Sequence, residues 1–292
     1  MEIPFGRYLP IAKELQREVT EDRVTGLAAE IAFFGVLSIF PGLLMVVAAI
    51  GSVDAFVGSD LAALSKRQIV DFLNLILTNE ASGAIDAVED LFQGGSEGLL
   101  TFATVAALVG LSRAFAVVAG ALNLAYDADE RRPWLKRRLL GLGLSIGTVL
   151  MTVFMLVMIV VGPLFGAGAE LADLLGLGDA FTFVWNVLRW PAAFALLVAW
   201  ATTLFHLAPC RPRPHWRVDL PGALLTAVLW LVVSLGLNLY LQIAGGSNPV
   251  FSVLGGGLIL LVWLYLLSLS LLIGGELNPI LDRHRAAAET PP

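Results

Sequence analysis

Arg113 stands in the run LVGLSRAFAVVAGALN, with long apolar stretches on both sides. A guanidinium is charged at every accessible pH and offers five donors and no acceptor. It binds carboxylate, phosphate or carbonyl oxygen and is no acid or base. At about 1.5 Å per residue, Arg113 lies well over 10 Å from either end of its apolar stretch, beyond easy snorkelling. A charge at that depth costs about 2.5–3.5 kcal/mol on insertion scales, so it is expected to face a bundle interior. Two roles are open. One is contact with an anion or headgroup in a polar cavity. The other is a structural tie to carbonyls freed by a proline such as Pro41, or to a polar residue on a neighbouring helix.

Other polar residues fall at helical spacing. Thr226, Trp230, Ser234, Asn238 and Gln242 are four apart and form one slowly drifting ridge. Such a ridge is expected to face protein, either as interhelical glue or as the wall of a pathway. Glu276 and Asn278 close the last apolar stretch, and with Arg113, Ser234, Asn238 and Gln242 they make the candidate substrate-binding or pathway set. Prolines Pro41, Pro163 and Pro191 fall inside apolar stretches and are expected to kink them, since each frees a carbonyl one turn back; Ser38 stands near Pro41 to satisfy one. Asp219 is a good N-cap for a helix with Pro221 in its first turn. Arg189, between Trp185 and Trp190, reads as an interfacial belt residue.

Metal and nucleophile chemistry lacks its parts. His206, His215 and His284 show no ligand spacing, and no Gly-x-Ser-x-Gly elbow occurs. Cys210 is the sole cysteine, so no intramolecular disulfide is possible. Neither a cofactor nor an enzymatic activity is expected. The basic cluster RRPWLKRR follows from topology, and no nucleic-acid partner is expected.

The elements that carry these residues are membrane helices. Charged residues make up only 14% of the chain and mean hydropathy is +0.83, against about 25% charged in soluble domains. Six stretches reach the roughly 20 residues a spanning helix needs: Ile31–Val53, Leu99–Leu124, Leu139–Ala169, Ala180–Phe205, Leu220–Ala244 and Val250–Gly275. The expected fold is all-α, a polytopic bundle of six transmembrane helices over residues 31–276. An amphipathic segment (1–30) precedes it and a tail (277–292) follows. Fourteen Lys and Arg flank the spans on one side, and only Lys66 and Arg67 on the other. The positive-inside rule then puts both termini in the cytoplasm. Residues 8–24 read as a short helix with Leu9, Ile11, Leu15 and Val19 on one face. It either lies on the inner leaflet or packs on the cytoplasmic loops. The external loop 54–98 holds two amphipathic pieces, capped by Ser59 and Ser82, that act as a lid or as simple cover. Gly110 with Ala114, and Gly143 with Gly147, have the spacing of close helix contacts.

The segments LAAEIAFFGVLSIFPGLL, ALNLAYDADERRPWLKRRLL, PGALLTAVLWLVVSLGLNLYL and LGGGLILLVWLYLLSLSLLIGGELNP, in this order, resemble the YihY/BrkB family of bacterial inner-membrane proteins over roughly residues 8–282. The resemblance implies six spans with cytoplasmic ends. It puts Pro41, Arg113, Asn123, Tyr126, Arg132, Pro133, Trp263, Tyr265, Glu276, Leu277 and Asn278 at the family's motif positions. Glu30 replaces a small residue common there. The family carries an old label as a tRNA-processing ribonuclease, which none of these residues supports. The expected role is transporter- or flippase-like handling of a lipid or anionic small molecule in the bilayer. A structural or assembly factor of the envelope is the alternative, followed by the ribonuclease. Oligomeric state is not written in the sequence.

Overall fold

The computed structural model describes residues 5–38, 97–156, 178–212, 215–244 and 255–289. Among them the regular structure is helical throughout. The helices are α1 (Phe5–Glu21), α2 (Val24–Ser38), α3 (Glu97–Ala125), α4 (Trp134–Leu156), α5 (Gly178–Leu207), α6 (Leu220–Ala244) and α7 (Gly255–Glu289), with a single 3-10 turn at Trp216–Val218 before α6.

Four described segments are long and apolar enough to cross a membrane: Leu108–Ala125, Val187–Leu207, Leu220–Ile243 and Gly257–Ala287. The chain is therefore an all-helical membrane protein. α2 and α4 stand where the first and third spans were expected, and both run to the edge of the described residues. Pro41, Pro163 and the loop pieces at 59–92 lie outside them. α5 runs through Pro191 as one helix. α7 differs from expectation at its end. The tail foreseen from residue 277 is helical to Glu289, passing through Pro279. At 1.5 Å per residue its 35 residues extend about 52 Å, about 20 Å more than a hydrocarbon core of about 30 Å. Its last turns therefore stand outside the bilayer.

Faces follow from periodicity. In α4, Leu135, Leu139, Ile146, Leu150 and Phe154 are exposed, and in α6 so are Leu224, Val228, Leu231, Val232 and Leu235. In water such faces would be a liability; lipid is their natural solvent.

The chain divides into two compact units, Met1–Thr25 with Val118–Trp230 and Ser270–Pro292, and Gly26–Val117 with Leu231–Leu269. The first is packed around Leu122, Phe205, Ile280 and the small residues Ala201, Ala208, Ala223 and Ala227, all essentially inaccessible. Gly147 lies under the Trp200 ring, whereas Gly143 has open space around it. In the second unit Ser38, fully buried, donates to the Phe34 carbonyl at 2.6 Å and packs against Gly110. The Ser38 hydroxyl thus bonds one turn back from its own position, not to the carbonyl one turn before Pro41.

α6 and α7 cross closely in the first unit. A Cβ on Gly222 would meet the Gly274 carbonyl oxygen and both polar atoms of Asn278, and one on Gly274 would meet Thr226 Oγ1 and the Gly222 carbonyl. At each glycine one of the obstacles is backbone, which has no rotamer to yield. Gly274→Ala is expected to destabilise the protein by about 1–3 kcal/mol, read as a lower unfolding midpoint in detergent. Gly143→Ala, facing open space, should leave that midpoint unmoved.

Candidate functional site

One end of α3 and the segments that meet it carry a dense polar network. α3 closes in a Schellman turn: Asp127 N–H donates to the Leu124 carbonyl at 3.0 Å and Ala128 N–H to that of Asn123 at 2.8 Å. Asp127 takes the left-handed conformation, φ 49°, that glycine usually fills. The turn sends the chain on to Glu130 and Arg132 and leaves Asn123 and Tyr126 facing the first unit's interior.

Asp219 is the centre of what they meet. It is wholly buried. Its carboxylate pairs with Arg211 and accepts from Tyr126 Oη at 3.2 Å, while His206 Nδ1 lies 3.2 Å from its other oxygen. Asn278, from α7, donates to Tyr126 Oη at 3.0 Å and to the Asp219 carbonyl at 3.3 Å, and accepts from Gly222 N–H at 2.7 Å. The Arg211 guanidinium stacks 4.0 Å from the centre of the Tyr126 ring, and Trp216 stacks on His206 at 4.9 Å. Burial, then the nearby Asp219 charge, pushes the Tyr126 phenol up, so it stays protonated and remains a donor. The carboxylate expected to cap α6 is thus used across the chain instead. It ties the end of α3, the end of α5, the following loop and the start of α6.

A second knot lies beside it. Asn123 accepts from the Cys210 backbone N–H at 2.6 Å and donates to Glu130 at 3.0 Å; Glu130 in turn accepts from the Arg132 backbone N–H at 3.0 Å. Arg132 spreads its guanidinium over the carbonyls of Leu207, Ala208 and Pro209 at 3.2, 2.8 and 2.6 Å. These are carbonyls at the end of α5, where the helix dipole is negative.

Next to these, α1 docks on α7. Arg283 donates to Glu14 and Glu18, both at 3.1 Å, and lies 3.6 Å from Asp127, while His284 lies 2.8 Å from Glu14. Ile11, Leu15 and Val19 are half-buried on the same face as Glu14 and Glu18. This face of α1 thus packs on α7, while Leu9 is exposed. Glu276 is 3% exposed, and burial, then the nearby Glu18 charge, pushes the half-buried Asp22 carboxyl up. An open groove of about 480 Å³ borders the same loop, lined by Gly120, Leu124, Asp127, Asp129, Glu130 and Arg137 among others. Its acidic rim disfavours an anion.

The sequence-derived set is shared between the two units. Glu276 and Asn278 belong to the first unit; Arg113, Ser234, Asn238 and Gln242 belong to the second. Ser234 accepts from Trp263 Nε1 at 3.3 Å, and Thr226 of the same ridge donates to the Ser270 carbonyl at 3.3 Å. Asn238 and Gln242 are exposed, and Gln242 donates to Asn238 at 2.6 Å. The reason is drift. Each step of four residues turns about 40°, so the ridge rotates by about 160° from Thr226 to Gln242. Its first part faces α7; its last part closes on itself as an i,i+4 pair.

Arg113 also departs from expectation. It is exposed, near the middle of an exposed stripe on α3 with Val105 and Val109, while Ser112, Ala114 and Phe115 are buried. Small and aromatic side chains pack the inward face of α3, and one residue's shift turns Arg113 away from it. Arg189 lies 5.6 Å from the Trp190 ring, and its Nε and Nη1 are buried without a hydrogen-bond partner among the described residues.

His206, Arg211 and Asp219 were not singled out as a site. His206 and Arg211 stand only 13 and 8 residues from Asp219, but those separations match no recognised motif, and Tyr126, which joins them, comes from 93 residues away. Asn123, Tyr126, Arg132 and Asn278, by contrast, were marked by family resemblance, and they fall in this network.

Comparison with known proteins agrees with that resemblance. The chain is similar to the ribonuclease-like protein YfkH of Bacillus subtilis, 27% identical over 96% of this chain and 98% of the relative. It is also similar to UPF0761 membrane proteins of Xanthomonas oryzae pv. oryzae (27% identical, 94% of this chain, 60% of the relative) and Xanthomonas axonopodis pv. citri (26%, 98% and 63%). The chain thus spans somewhat under two thirds of the Xanthomonas relatives' length. No solved structure matches. The profile of the family described as virulence factor BrkB matches residues 15–292, and the chain belongs to that family.

Proposed function

We propose that this chain is a six-span inner-membrane protein with both termini cytoplasmic, that it carries out no enzymatic chemistry, and that it handles an anionic or amphiphilic substrate in the manner of a transporter or flippase. Arg113 carries the reading. A guanidinium exposed on an apolar spanning helix has five donors to satisfy and no route to neutrality. Lipid tails offer no acceptor. Water or an anion reaching that stripe does, and a wet path along a span is what a transported anion needs. The fourteen-to-two distribution of Lys and Arg supports the orientation.

The test is flux through the purified protein in liposomes, with a fluorescent anionic phospholipid and a free anion as separate probes. Arg113→Met is expected to lose roughly tenfold or more of the flux, the worth of about 1.4 kcal/mol, at unchanged unfolding midpoint. Arg113→Lys should keep part of it, because a point charge attracts an anion without the planar fork. Undiminished flux in Arg113→Met sinks the proposal.

A second reading, a non-transporting envelope or assembly factor, is favoured by the Asp219 network, which ties four chain segments rigidly. The ribonuclease reading rests on the B. subtilis relative's name. Among the described residues no group of three or more metal-ligating side chains stands beside it.

A further inference from the structure

α4 contains no acid and opens on three bases, Lys136, Arg137 and Arg138. Elsewhere in the same unit the chain answers its arginines. Arg132 holds three carbonyls, Arg211 pairs with Asp219, and Arg283 pairs with Glu14 and Glu18. Lys136, exposed, and Arg138, half-buried, have neither a hydrogen bond nor an ion pair among the described residues. Their charges also sit at the positive end of the α4 dipole, where an anion is favoured and a cation is not. Arg137 differs, since it lines the groove rimmed by Asp127, Asp129 and Glu130.

The bases stand at the end of an apolar track. Successive residues turn about 100° around a helix, so Leu135, Leu139, Ile146 and Leu150 fall within about 60° of one another; all four are exposed. With Phe154, also exposed, the stripe runs about 28 Å, close to the roughly 30 Å of a hydrocarbon core. Gly141, Leu144 and Ser145, on the other side of the helix, are buried. At the first turn of the stripe Lys136 and Arg138 stand about 70° and 90° to either side of its line. Their stems are long enough to bring both charges to one headgroup above Leu135. Trp134, one turn before Arg138 and 76% exposed, is the residue type that settles at headgroup level. We propose that this face of α4 binds a phospholipid with an anionic headgroup, its phosphate held between Lys136 and Arg138 and an acyl chain laid along Leu139, Ile146 and Leu150. A topological signal needs only net charge on one side of the membrane; a lipid site needs these two positions. The site stands on α4 alone and is independent of Arg113.

The test titrates the purified full-length chain, in a neutral detergent, with dioleoyl phosphatidylglycerol and separately with dioleoyl phosphatidylcholine, counting bound lipid by native mass spectrometry. The unaltered chain is expected to bind phosphatidylglycerol the more tightly. Lys136→Gln and Arg138→Gln should each weaken that binding about fivefold, the equivalent of about 1 kcal/mol per basic residue, and leave phosphatidylcholine binding unmoved. Either single variant suffices if the other folds poorly. Arg137→Gln removes the same charge from the groove side and should change the affinity by less than about twofold, as a contact rather than a distant field requires. Arg113→Met should leave it unchanged, so failure of the transport reading and failure of this one are told apart. sn-Glycerol 3-phosphate at the same concentration should not displace the lipid. The site is overturned if the chain shows no preference for phosphatidylglycerol. It is also overturned if Arg137→Gln or Arg113→Met loses as much as Lys136→Gln and Arg138→Gln, or if glycerol 3-phosphate competes on equal terms. Binding of a tRNA transcript that Lys136→Gln and Arg138→Gln weaken, without any lipid preference, would assign the patch to nucleic acid instead.

Discussion

Asp219→Ala is expected to destabilise the protein by about 3–5 kcal/mol, the cost of removing one partner from a buried ion pair. The carboxylate is wholly buried and takes Arg211, Tyr126 and His206 together. Its loss strands the Arg211 guanidinium, whose Nε is already buried without a partner among the described residues. Tyr126 loses its acceptor while still receiving the Asn278 amide. Asp219→Asn keeps the volume and one acceptor oxygen, so its expected loss is smaller, about 1–3 kcal/mol. The decisive variant is the double change Asp219→Ala with Arg211→Met. If the penalty is the orphaned charge, the double variant recovers part of what the single one lost, since apolar replacement of both partners is often near neutral. The measurement is the unfolding midpoint in detergent for the four members of the cycle. Additive losses would show that the charge pair is not the source.

What the sequence disclosed and what it hid divide along the range of the interactions. The helices were legible because spanning stretches are long and local; α6 and the start of α5 fall within a few residues of expectation. The end of α7 was not, because Asp282, Arg283 and His284 break the apolar pattern where the helix leaves the bilayer, and hydropathy marks membrane rather than helix. The α3 face was misjudged for a related reason. A long, mostly apolar stretch places a residue in depth but not in azimuth, and only the packing of Ser112, Ala114 and Phe115 fixes the angle at which Arg113 emerges. The Asp219 network was the least visible part. Asp219 meets Tyr126 across 93 positions, and Asn278 meets Tyr126 across 152. At the level of local pattern Asp219 is an N-cap for a helix with Pro221 in its first turn, whereas its carboxylate is taken by Arg211, Tyr126 and His206. The family resemblance flagged Asn123, Tyr126, Arg132 and Asn278 without their partners. Structure supplied the missing halves of those bonds: Cys210 N–H, Asp219, the three terminal carbonyls and Gly222 N–H.

Arg132→Met is expected to cost about 3 kcal/mol, through the end of a helix in which Arg132 does not lie. The last carbonyls of any α-helix lack intrahelical donors. At the end of α5 the usual remedy, a following backbone N–H, is compromised, because the next residue but one is Pro209 and has none. Arg132 donates to Leu207, Ala208 and Pro209 with both terminal nitrogens, and Ala208 and Pro209 are buried away from water. Leaving a buried acceptor unmatched costs about 1–3 kcal/mol, and more than one is affected. Arg132→Lys distinguishes two origins of the effect. A lysine retains the attraction of positive charge to the helix C-terminus, about 0.3–1 kcal/mol. It lacks the planar fork that reaches three carbonyls at once. If the fork matters, Lys recovers only a minor share; recovery to full stability would assign the role to charge alone. Arg131→Met is the matched control, since Arg131 is exposed with only Asp129 at 3.8 Å, also exposed, and should shift stability by no more than about 0.5 kcal/mol. Unfolding midpoints for the three variants in one detergent decide the matter. An Arg132→Met midpoint equal to that of Arg131→Met would mean that water, not Arg132, satisfies the end of α5.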